Sequence, residues 1–281
     1  MLANTKELLV NAQKNKKAVG AFNCPSLEAI RATIKAGESL NCPIILQHAQ
    51  SHDPIMEMEE MLPIYMYYAK RASVPVSVHL DHGSTFEKCI MAIRMGVSSI
   101  MYDASAKDFE TNIEETKYIT EIAHAAGVSV EAELGHVGSF ASSDEGVGKD
   151  DEGIYTNPES AYEFVQRTGV DFLAISFGTT HGVYLTEPKL DIERVKTIKE
   201  KIGIPLVMHG GSGVSEEDYI KSIKNGISKI NYYTYMNCAG GEGIHEYIKK
   251  NPNNMAFDKM SLYATDKMEE DVKRAMSIFD C

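Results

Sequence analysis

The sequence lacks the features that would direct a protein to a membrane or to nucleic acid. No apolar run approaches the roughly 20 residues that a membrane-spanning helix needs. Residues 1–17 mix lysine with a short amphipathic pattern and contain no apolar core of a secretory signal. Basic clusters are missing, and the net charge of −12 disfavours anionic partners. We therefore expect a cytoplasmic protein that binds neither nucleic acid nor membranes.

Cysteine is too sparse and too scattered to build a disulfide framework. The five cysteines lie far apart, and no CxxC pair occurs. An odd number of cysteines also argues against such a framework. Reduced thiols, which are usual inside cells, are the expectation.

Short apolar segments alternate with helical patterns along the whole chain of 281 residues. The pattern predicts eight strands, at residues 18–23, 43–48, 75–82, 98–105, 129–136, 172–178, 205–211 and 229–234. Strands rich in Val and Ile that are separated by helices favour a parallel sheet buried on both faces. Eight such units predict an α/β fold. We expect a single (β/α)8 TIM barrel domain over residues 1–281, with additional C-terminal helices.

One connection in this pattern is unusually long. Residues 137–157 are rich in Gly, Ser and Asp and follow the fifth predicted strand. A loop at that place would lie on the active-site face of a barrel. Two interpretations stay open, a surface insertion without a role and a mobile lid over the active site.

Chemically active side chains recur where the predicted strands end, the place where barrels of this kind carry their catalytic groups. These residues are Asn23, His48, Asp81, His82, Asp103, Glu133, His136, His181, His209 and Asn231. His82, His181 and His209 each precede a glycine. Three imidazoles that converge from separate strands and leave a fourth position open describe a catalytic zinc site.

Other polar residues near this predicted site have two interpretations each. Asp81, adjacent to His82, either orients that histidine or acts as a general acid and base beside the metal. Glu133 either binds the metal or accepts hydrogen bonds inside the barrel. His79 and His136 are expected to be core residues or to orient other groups.

A glycine-rich loop follows the seventh predicted strand. The stretch HGGSGVSEED (209–218) runs into a helix, and NYYT (231–234) closes the eighth strand. Backbone N–H groups and the helix dipole favour an anion there, and barrels commonly bind phosphate after strands seven and eight. A metal beside a phosphate site indicates a phosphorylated substrate with a carbonyl group. A Schiff-base enzyme needs a lysine at a strand end, and the nearest, Lys107, lies beyond the fourth.

Five segments, in this order, resemble the class II, metal-dependent fructose-bisphosphate aldolase family, which includes tagatose-bisphosphate aldolases. They are VHLDHG, EAELGHVG, FGTTHGVY, LVMHGGSGV and KINYYT. The resemblance runs from about residue 21 to the C-terminal helix. It implies a zinc-dependent barrel that reversibly cleaves a ketose phosphate or bisphosphate to dihydroxyacetone phosphate and an aldehyde, through a metal-stabilised enediolate. It also implies a homo-oligomer, a homodimer or a homotetramer.

The resemblance implies roles for particular residues. His82, His181 and His209 match the zinc ligands, Glu133 the carboxylate near the metal, and Asp81 the acid/base at the C4 hydroxyl. Gly182, Gly210, Gly211 and Ser212 match the loops that bind phosphate and a monovalent cation, Na⁺ or K⁺. Asn231 and Thr234 match contacts to dihydroxyacetone phosphate. Asp144 or Glu145, in the predicted lid, is the candidate for moving the enediolate proton.

The sequence departs from the family pattern in three places: after His181, at Tyr233 on the phosphate side, and at the part of the site that would hold the far end of the sugar. Leu185 stands where many members have lysine, and Tyr233 stands where Asp, Asn or Ala is usual. ILQHAQSHD (45–53) replaces a small stretch containing Ser and Gly. His48, Gln50 and His52 either line this part of the pocket, beside Asn23, or are loop residues without a role.

Our hypothesis is that cleavage to dihydroxyacetone phosphate is kept and the aldehyde differs. A carboxylate, a sulfonate or a longer polyol would then replace the second phosphate of fructose 1,6-bisphosphate. Two other functions remain open. A metal-independent sugar-phosphate isomerase or epimerase on the same barrel would keep its activity in EDTA. A non-catalytic phosphosugar-binding protein would not need Asp81 and three intact histidines.

Overall fold

The computed structural model describes residues 1–135, 155–182, 184 and 187–280. The predicted lid over 137–157 therefore lies almost wholly outside the described residues, with its candidate acids Asp144 and Glu145. His136 and Leu185 also lie outside them.

Eight parallel strands form a closed barrel in the order of the chain, which confirms the predicted (β/α)8 fold. They are β1 (Val19–Asn23), β2 (Ile44–Ala49), β3 (Val76–Gly83), β4 (Ser99–Tyr102), β5 (Ser129–Leu134), β6 (Phe172–Ile175), β7 (Leu206–Met208) and β8 (Ile227–Tyr232). The strands are short and almost wholly buried, because helices cover their outer faces. β4 and β7 are shorter than predicted, since the polar residues after them belong to loops.

Ten α-helices occur in the part of the chain that the structure describes. They are α1 (Thr5–Lys14), α2 (Leu27–Leu40), α3 (Met58–Arg71), α4 (Phe86–Arg94), α5 (Phe109–Ala125), α6 (Pro158–Thr168), α7 (Ile192–Ile202), α8 (Glu216–Asn225), α9 (Thr234–Lys250) and α10 (Phe257–Ile278). Seven begin at a side chain that accepts a hydrogen bond from the first turn: Asn4, Ser26, Thr85, Asp108, Asn157, Asp191 and Ser215. Such caps satisfy N–H groups that have no partner inside the helix.

The core has two layers, one inside the barrel and one between the strands and the surrounding helices. The inner layer contains Val19, Ala21, Ile45, Phe172, Ala174 and Val207, together with Leu9 and Ala12 of α1. α1 therefore closes the N-terminal end of the barrel. The active site is therefore expected at the opposite end of the barrel, where the strands have their C-terminal ends.

The two C-terminal helices pack against each other at very short range. A Cβ atom on Gly243 of α9 would lie 2.4 Å from the carbonyl oxygen of Tyr263 in α10. Only glycine allows the backbones to approach this closely. The additional C-terminal helices of the prediction are thus a tightly packed pair.

The expectation of reduced cysteines is met by three of the described cysteines. Cys24, Cys89 and Cys238 are free thiols, whereas Cys42 is disulfide-bonded, so the expectation is wrong at Cys42. An odd number of cysteines argues against a framework of bridges, but it does not exclude a single one. Among the described helices, none has the length and apolar character to span a bilayer.

Candidate active site

Three histidines from separate strands meet at the C-terminal end of the barrel. His82 lies at the end of β3, His181 follows β6, and His209 follows β7. One ring nitrogen of each lies within 4.8 Å of the others. The ring centroids are 4.6 Å apart for His82 and His209, and 5.4 Å apart for His82 and His181. The structure thus brings together the three residues that the sequence indicated as metal ligands.

His82 is oriented by a carboxylate. Its Nδ1 lies 2.7 Å from Oδ2 of Asp103, whose Oδ1 accepts a hydrogen bond of 2.7 Å from the Ser105 hydroxyl. An ionised carboxylate only accepts, so it places the imidazole proton on Nδ1 and leaves Nε2 for the cluster. His82 also has φ +50°, a left-handed conformation that is uncommon for residues other than glycine. Such strain persists where the surroundings fix the residue, often at functional sites.

A second carboxylate orients His209 from inside the barrel. Nε2 of His209 lies 2.9 Å from Oε1 of Glu131, and Lys229 Nζ donates to Oε2 of Glu131 at 2.8 Å. All three side chains are fully buried. Although burial raises carboxyl pKa values, the charge of Lys229 and the hydrogen bond from His209 lower the pKa of Glu131 to about 2. His209 therefore contacts an ionised carboxylate and presents Nδ1 to the cluster.

The surroundings of His209 favour a cation. Its Nδ1 is buried, makes no hydrogen bond among the described residues, and faces Glu133 Oε2 at 3.3 Å. Burial would lower the pKa of His209, but Glu131 and Glu133 outweigh burial and raise it to about 10. The same negative charge favours a metal ion at this place. Atoms of His82, Asp103 and Glu133 form a second group within 4.8 Å, so Glu133 lies where the sequence placed the metal-adjacent carboxylate.

A chain of polar side chains continues from Glu131 down the barrel axis to α1. His79 Nε2 lies 3.4 Å from Glu131 Oε2, and its Nδ1 lies 2.7 Å from the Ser99 hydroxyl. Thr5 of α1 donates a hydrogen bond of 2.7 Å to Ser99 and also contacts Ser77. The sequence left two roles open for His79, a core residue or a group that orients other side chains. These contacts favour the second.

Asp81 is held beside the histidines by three side-chain amides. Asn23 Nδ2 donates to Oδ2 at 2.9 Å, Gln47 Nε2 donates to Oδ2 at 3.3 Å, and Asn231 Nδ2 donates to Oδ1 at 3.1 Å. Oδ1 lies 4.0 Å from His82 Nε2. Burial would raise the pKa of Asp81, but the charges of His82 and of more distant cations outweigh it and lower the pKa. The carboxylate is thus ionised and fixed next to the cluster.

The loop after β7 approaches its neighbours too closely for side chains. Gly210 has φ +64°, and a Cβ atom there would lie 2.3 Å from the Thr180 carbonyl oxygen. The Ser212 hydroxyl accepts hydrogen bonds of 3.0 Å from the backbone N–H groups of Tyr233 and Thr234, where α9 begins. The side chain of Tyr233, which precedes α9, makes no cap bond of its own. Glycine backbone and a helix N-terminus together suit an anion such as phosphate.

The end of β2 differs from the prediction. Gln47 and Ala49 face the barrel interior, so His48 between them points outward, because side chains alternate along a strand. His48 Nε2 bonds Asp53 Oδ1 at 2.9 Å. Gln50 Oε1 accepts a hydrogen bond of 2.9 Å from the Ser84 N–H. Neither His48 nor Gln50 lines the cavity, which favours, for these two residues, the interpretation that they do not contact substrate.

The residues that do line this side of the cavity come from the next turn of the chain. A short 3-10 turn, Gln50–His52, follows β2 and brings Ser51 and His52 to the cavity wall. The His52 ring lies against Tyr233, with centroids 4.7 Å apart. We call Ser51, His52 and Tyr233 the far wall.

A cavity of about 490 Å³ lies over this site. His82, His181, Asp81, the glycine loop and the far wall line it, and His209 lies buried beneath. A family model described as "Fructose-bisphosphate aldolase class-II" matches residues 3–281. The chain belongs to the class II fructose-bisphosphate aldolase family.

Similar proteins agree with this assignment. The chain is 42% identical to a fructose-bisphosphate aldolase of Geobacillus stearothermophilus, over 90% of this chain and 88% of that protein. It is 38% identical to a fructose-bisphosphate aldolase of Staphylococcus epidermidis, over 97% and 95% of the two chains. The crystal structure of the YdjI aldolase from Escherichia coli K12 superposes with a TM-score of 0.86 at 33% identity, covering 99% and 97% of the chains. As a class II aldolase the protein is a carbon–carbon lyase, and its family acts on phosphorylated sugars.

Sequence reasoning missed three residues of this aldolase site. Gln47, Glu131 and Lys229 lie inside strands rather than at strand ends, so an inspection of strand ends passed over them. The available signal was a charged or amide side chain within an otherwise apolar strand, which is unfavourable unless it has a partner. Lys107, the nearest lysine to a strand end, is paired with Glu115 and does not line the cavity.

Proposed function

We propose that this aldolase reversibly cleaves a ketose phosphate into dihydroxyacetone phosphate and an aldehyde, with zinc held by His82, His181 and His209. The observation that carries the proposal is the cluster of three imidazole nitrogens within 4.8 Å. Two carboxylates orient two of these imidazoles, the half-buried Asp103 on His82 and the fully buried Glu131 on His209. A fixed carboxylate and an anion-binding loop lie in the same cavity.

The donor set fits zinc. Three imidazoles with an open position are typical of catalytic zinc sites. Nδ1 of His209 is a buried nitrogen that makes no hydrogen bond among the described residues, as a metal ligand requires. Burial and the neighbouring histidines lower the pKa of His181 to about 4, so this imidazole is neutral and can donate its lone pair. Zinc bound there supplies a Lewis acid that polarises the ketose carbonyl.

Asp81 is the proposed acid/base. In cleavage its carboxylate takes the proton from the C4 hydroxyl, O4 becomes the aldehyde oxygen, and the electron pair of the C3–C4 bond passes to the dihydroxyacetone phosphate half. Asn23, Gln47 and Asn231 fix the two carboxylate oxygens, so the base needs little rearrangement when the sugar binds. Asp144 or Glu145 stays our prediction for the group that protonates the remaining carbanion.

The phosphate of the substrate binds at the glycine loop in this proposal. Gly210, Gly211 and Ser212 provide a backbone without bulky side chains, and α9 begins beside them at Thr234. Gly182, with φ +102°, lines the same part of the cavity. Binding of a monovalent cation, Na⁺ or K⁺, by the loops that contain Gly182 and Gly210 remains a prediction.

The test is a retro-aldol assay combined with metal analysis. Dihydroxyacetone phosphate released from a panel of ketose phosphates is measured by a coupled NADH assay before and after EDTA treatment. Activity should be lost when EDTA removes the zinc, and it should return when zinc is added back. Isomerisation or epimerisation of the same ketose phosphates that persists in EDTA, without release of dihydroxyacetone phosphate, would instead support the isomerase or epimerase alternative. No release from any member of the panel, with zinc bound, would support the phosphosugar-binding alternative.

A matched pair of histidine variants tests the ligand assignment without an activity readout. His209→Ala should bind less than one zinc ion per chain. His245→Ala, at an exposed position on α9, should keep the zinc content unchanged. Equal zinc content in the two variants would remove His209 from the ligand set.

Two further properties remain predictions. We expect a homodimer or a homotetramer, which light scattering after size-exclusion chromatography distinguishes from a monomer. We also expect a cytoplasmic protein, which cell fractionation tests.

A further inference from the structure

We propose that the substrate is a ketose 1-phosphate whose far end carries hydroxyl groups and no phosphate, and that His52 selects it. The inference rests on the proposed function. It identifies the aldehyde half, which the family assignment leaves open.

The far end of the sugar can be located from the residues already described. The reacting carbonyl lies at the three histidines, and the C4 hydroxyl lies at Asp81. Carbons beyond C4 therefore extend past Asp81, away from the metal. Ala49 of β2 pairs with Asp81, and the chain continues from Ala49 into the turn that carries Ser51 and His52. The far wall is thus the surface that meets these carbons.

The charges around the cavity are unfavourable for a second phosphate. Among the described residues that line it, none is lysine or arginine, whereas Asp81, Asp103 and Glu133 all contribute carboxylates. Lys88, which lies behind the far wall, is engaged by two carboxylates, at 3.0 Å from Asp53 and 3.4 Å from Glu59. A phosphate dianion at the far wall would meet negative charge without a compensating cation.

The turn that carries Ser51 and His52 lacks the backbone arrangement that binds an anion at the glycine loop. The first phosphate has the glycine loop and the start of α9, a helix of 17 residues. The turn at Gln50–His52 has three residues, which is too short to build a helix dipole. The two ends of the cavity therefore differ in the ligand chemistry that they favour.

His52 has the properties of a group that binds a hydroxyl. Its Nδ1 is buried and has no hydrogen-bond partner among the described residues. A buried polar atom without a partner is unfavourable until a ligand pairs with it. Burial and the nearby His48 lower the pKa of His52, so the ring is neutral near pH 7 and offers one donor and one acceptor. The half-buried ring lines the cavity, where it can exchange a hydrogen bond with a sugar hydroxyl.

The position of His52 is fixed by its neighbours. Its carbonyl oxygen accepts hydrogen bonds from the N–H groups of Ile55 at 2.8 Å and Met56 at 3.1 Å. Asp53, the next residue, is anchored to both His48 and Lys88. The ring packs on Tyr233, whose backbone is bonded to Ser212. His52 is therefore held in place before substrate arrives, as specificity requires.

The first experiment compares substrates that differ only in the second phosphate. With zinc-loaded enzyme, kcat/KM is measured for D-fructose 1-phosphate and for D-fructose 1,6-bisphosphate. In the synthetic direction, dihydroxyacetone phosphate is condensed with D-glyceraldehyde or with its 3-phosphate. We expect kcat/KM to be higher by about tenfold or more for fructose 1-phosphate and for glyceraldehyde, the members that lack the second phosphate. Equal or better use of the members that carry the second phosphate overturns the inference and leaves the proposed function intact. Conversion of neither member, with no release of dihydroxyacetone phosphate from any other ketose phosphate of the panel, would defeat the proposed function itself.

The second experiment changes His52. His52→Ala should raise KM for fructose 1-phosphate with little change in kcat, and His52→Gln, which keeps a donor and an acceptor, should restore most of the affinity. His52→Arg should shift the kcat/KM ratio towards the bisphosphate by about tenfold or more. His245→Arg adds the same charge on the exposed surface of α9 and should leave the ratio unchanged. An unaltered ratio in His52→Arg, or an unaltered KM in His52→Ala, would contradict selection by His52.

Discussion

The two sides of the active-site cavity are built in different ways. On the metal side, the carboxylates of Asp103 and Glu131 hold His82 and His209, and Lys229 in turn holds Glu131. On the far wall, Ser51 is exposed and His52 is half-buried, and a short turn carries both. The metal side is therefore fixed by many mutually dependent contacts and the far wall by a few. In an enzyme that keeps one bond cleavage and changes its aldehyde, this is the expected division between chemistry and specificity.

The largest effect on kcat is expected from replacing Asp81, the proposed acid/base on the metal side. Asp81→Ala should reduce kcat by about 10²- to 10⁴-fold, the usual contribution of a general acid or base. Zinc content should not change, because the carboxylate lies 4.0 Å from His82 Nε2 and is not a proposed ligand. Steady-state kinetics with metal analysis measure both quantities. A variant with kcat within a few-fold of the parent would refute the assigned role.

Glu131 should control how tightly zinc binds. Removing a group that orients a metal-binding histidine typically weakens metal affinity by about 10- to 100-fold. Glu131→Gln alone leaves the buried Lys229 without its partner, a loss of about 3–5 kcal/mol of stability. Glu131→Gln combined with Lys229→Met removes both charges and serves as the test. Chelator competition should show weaker zinc binding, and circular dichroism should show a folded barrel. Unchanged zinc affinity in that folded variant would contradict the role.

A smaller effect is expected where the far wall is anchored. Asp53→Asn removes the charge that holds Lys88 and weakens the bond to His48. Loss of one such interaction corresponds to about 0.5–1.5 kcal/mol, or about 2- to 10-fold in KM for fructose 1-phosphate. Zinc affinity and kcat should stay unchanged. If zinc affinity fell instead, the two sides would not be independent.

The smallest effect should come from Gln50. Its side chain accepts hydrogen bonds from Ser84 rather than lining the cavity. Gln50→Ala should therefore leave kcat/KM for both fructose phosphates within about twofold, the range of a surface substitution. A large change in KM would restore the sequence-based prediction that Gln50 contacts substrate.

The sequence predicted the metal side better than the far wall. His82, His181, His209 and Asp81 follow strands of a regular barrel, so knowing where each strand ends was enough to place them together. At β2 a prediction had to decide which residues face inward and what the chain does after the strand. Alternation turns His48 out and Gln47 in, and the following turn brings His52 back to the cavity. Turns of this kind depend on contacts such as that of Asp53 with Lys88, 35 residues further along the chain (88 − 53).

Glu131 and Lys229 show a second limit. Each was within a predicted strand, but only the closed barrel shows that they contact each other across its interior. Pairing between residues 98 positions apart has no local signature. A charged residue in an apolar strand signals that a partner exists, and the fold identifies it.

The polar chain from Thr5 through Ser99, His79 and Glu131 to His209 has a consequence for the evolution of this enzyme. Each member contacts the next in the barrel interior, so a single substitution removes a polar contact of its neighbour. Selection acting on one position at a time would keep all five fixed, including Thr5 at the end of the barrel opposite the substrate. Joint replacement of the whole set is the accessible route, and a library that varies these positions together would sample solutions that single-site scanning never reaches.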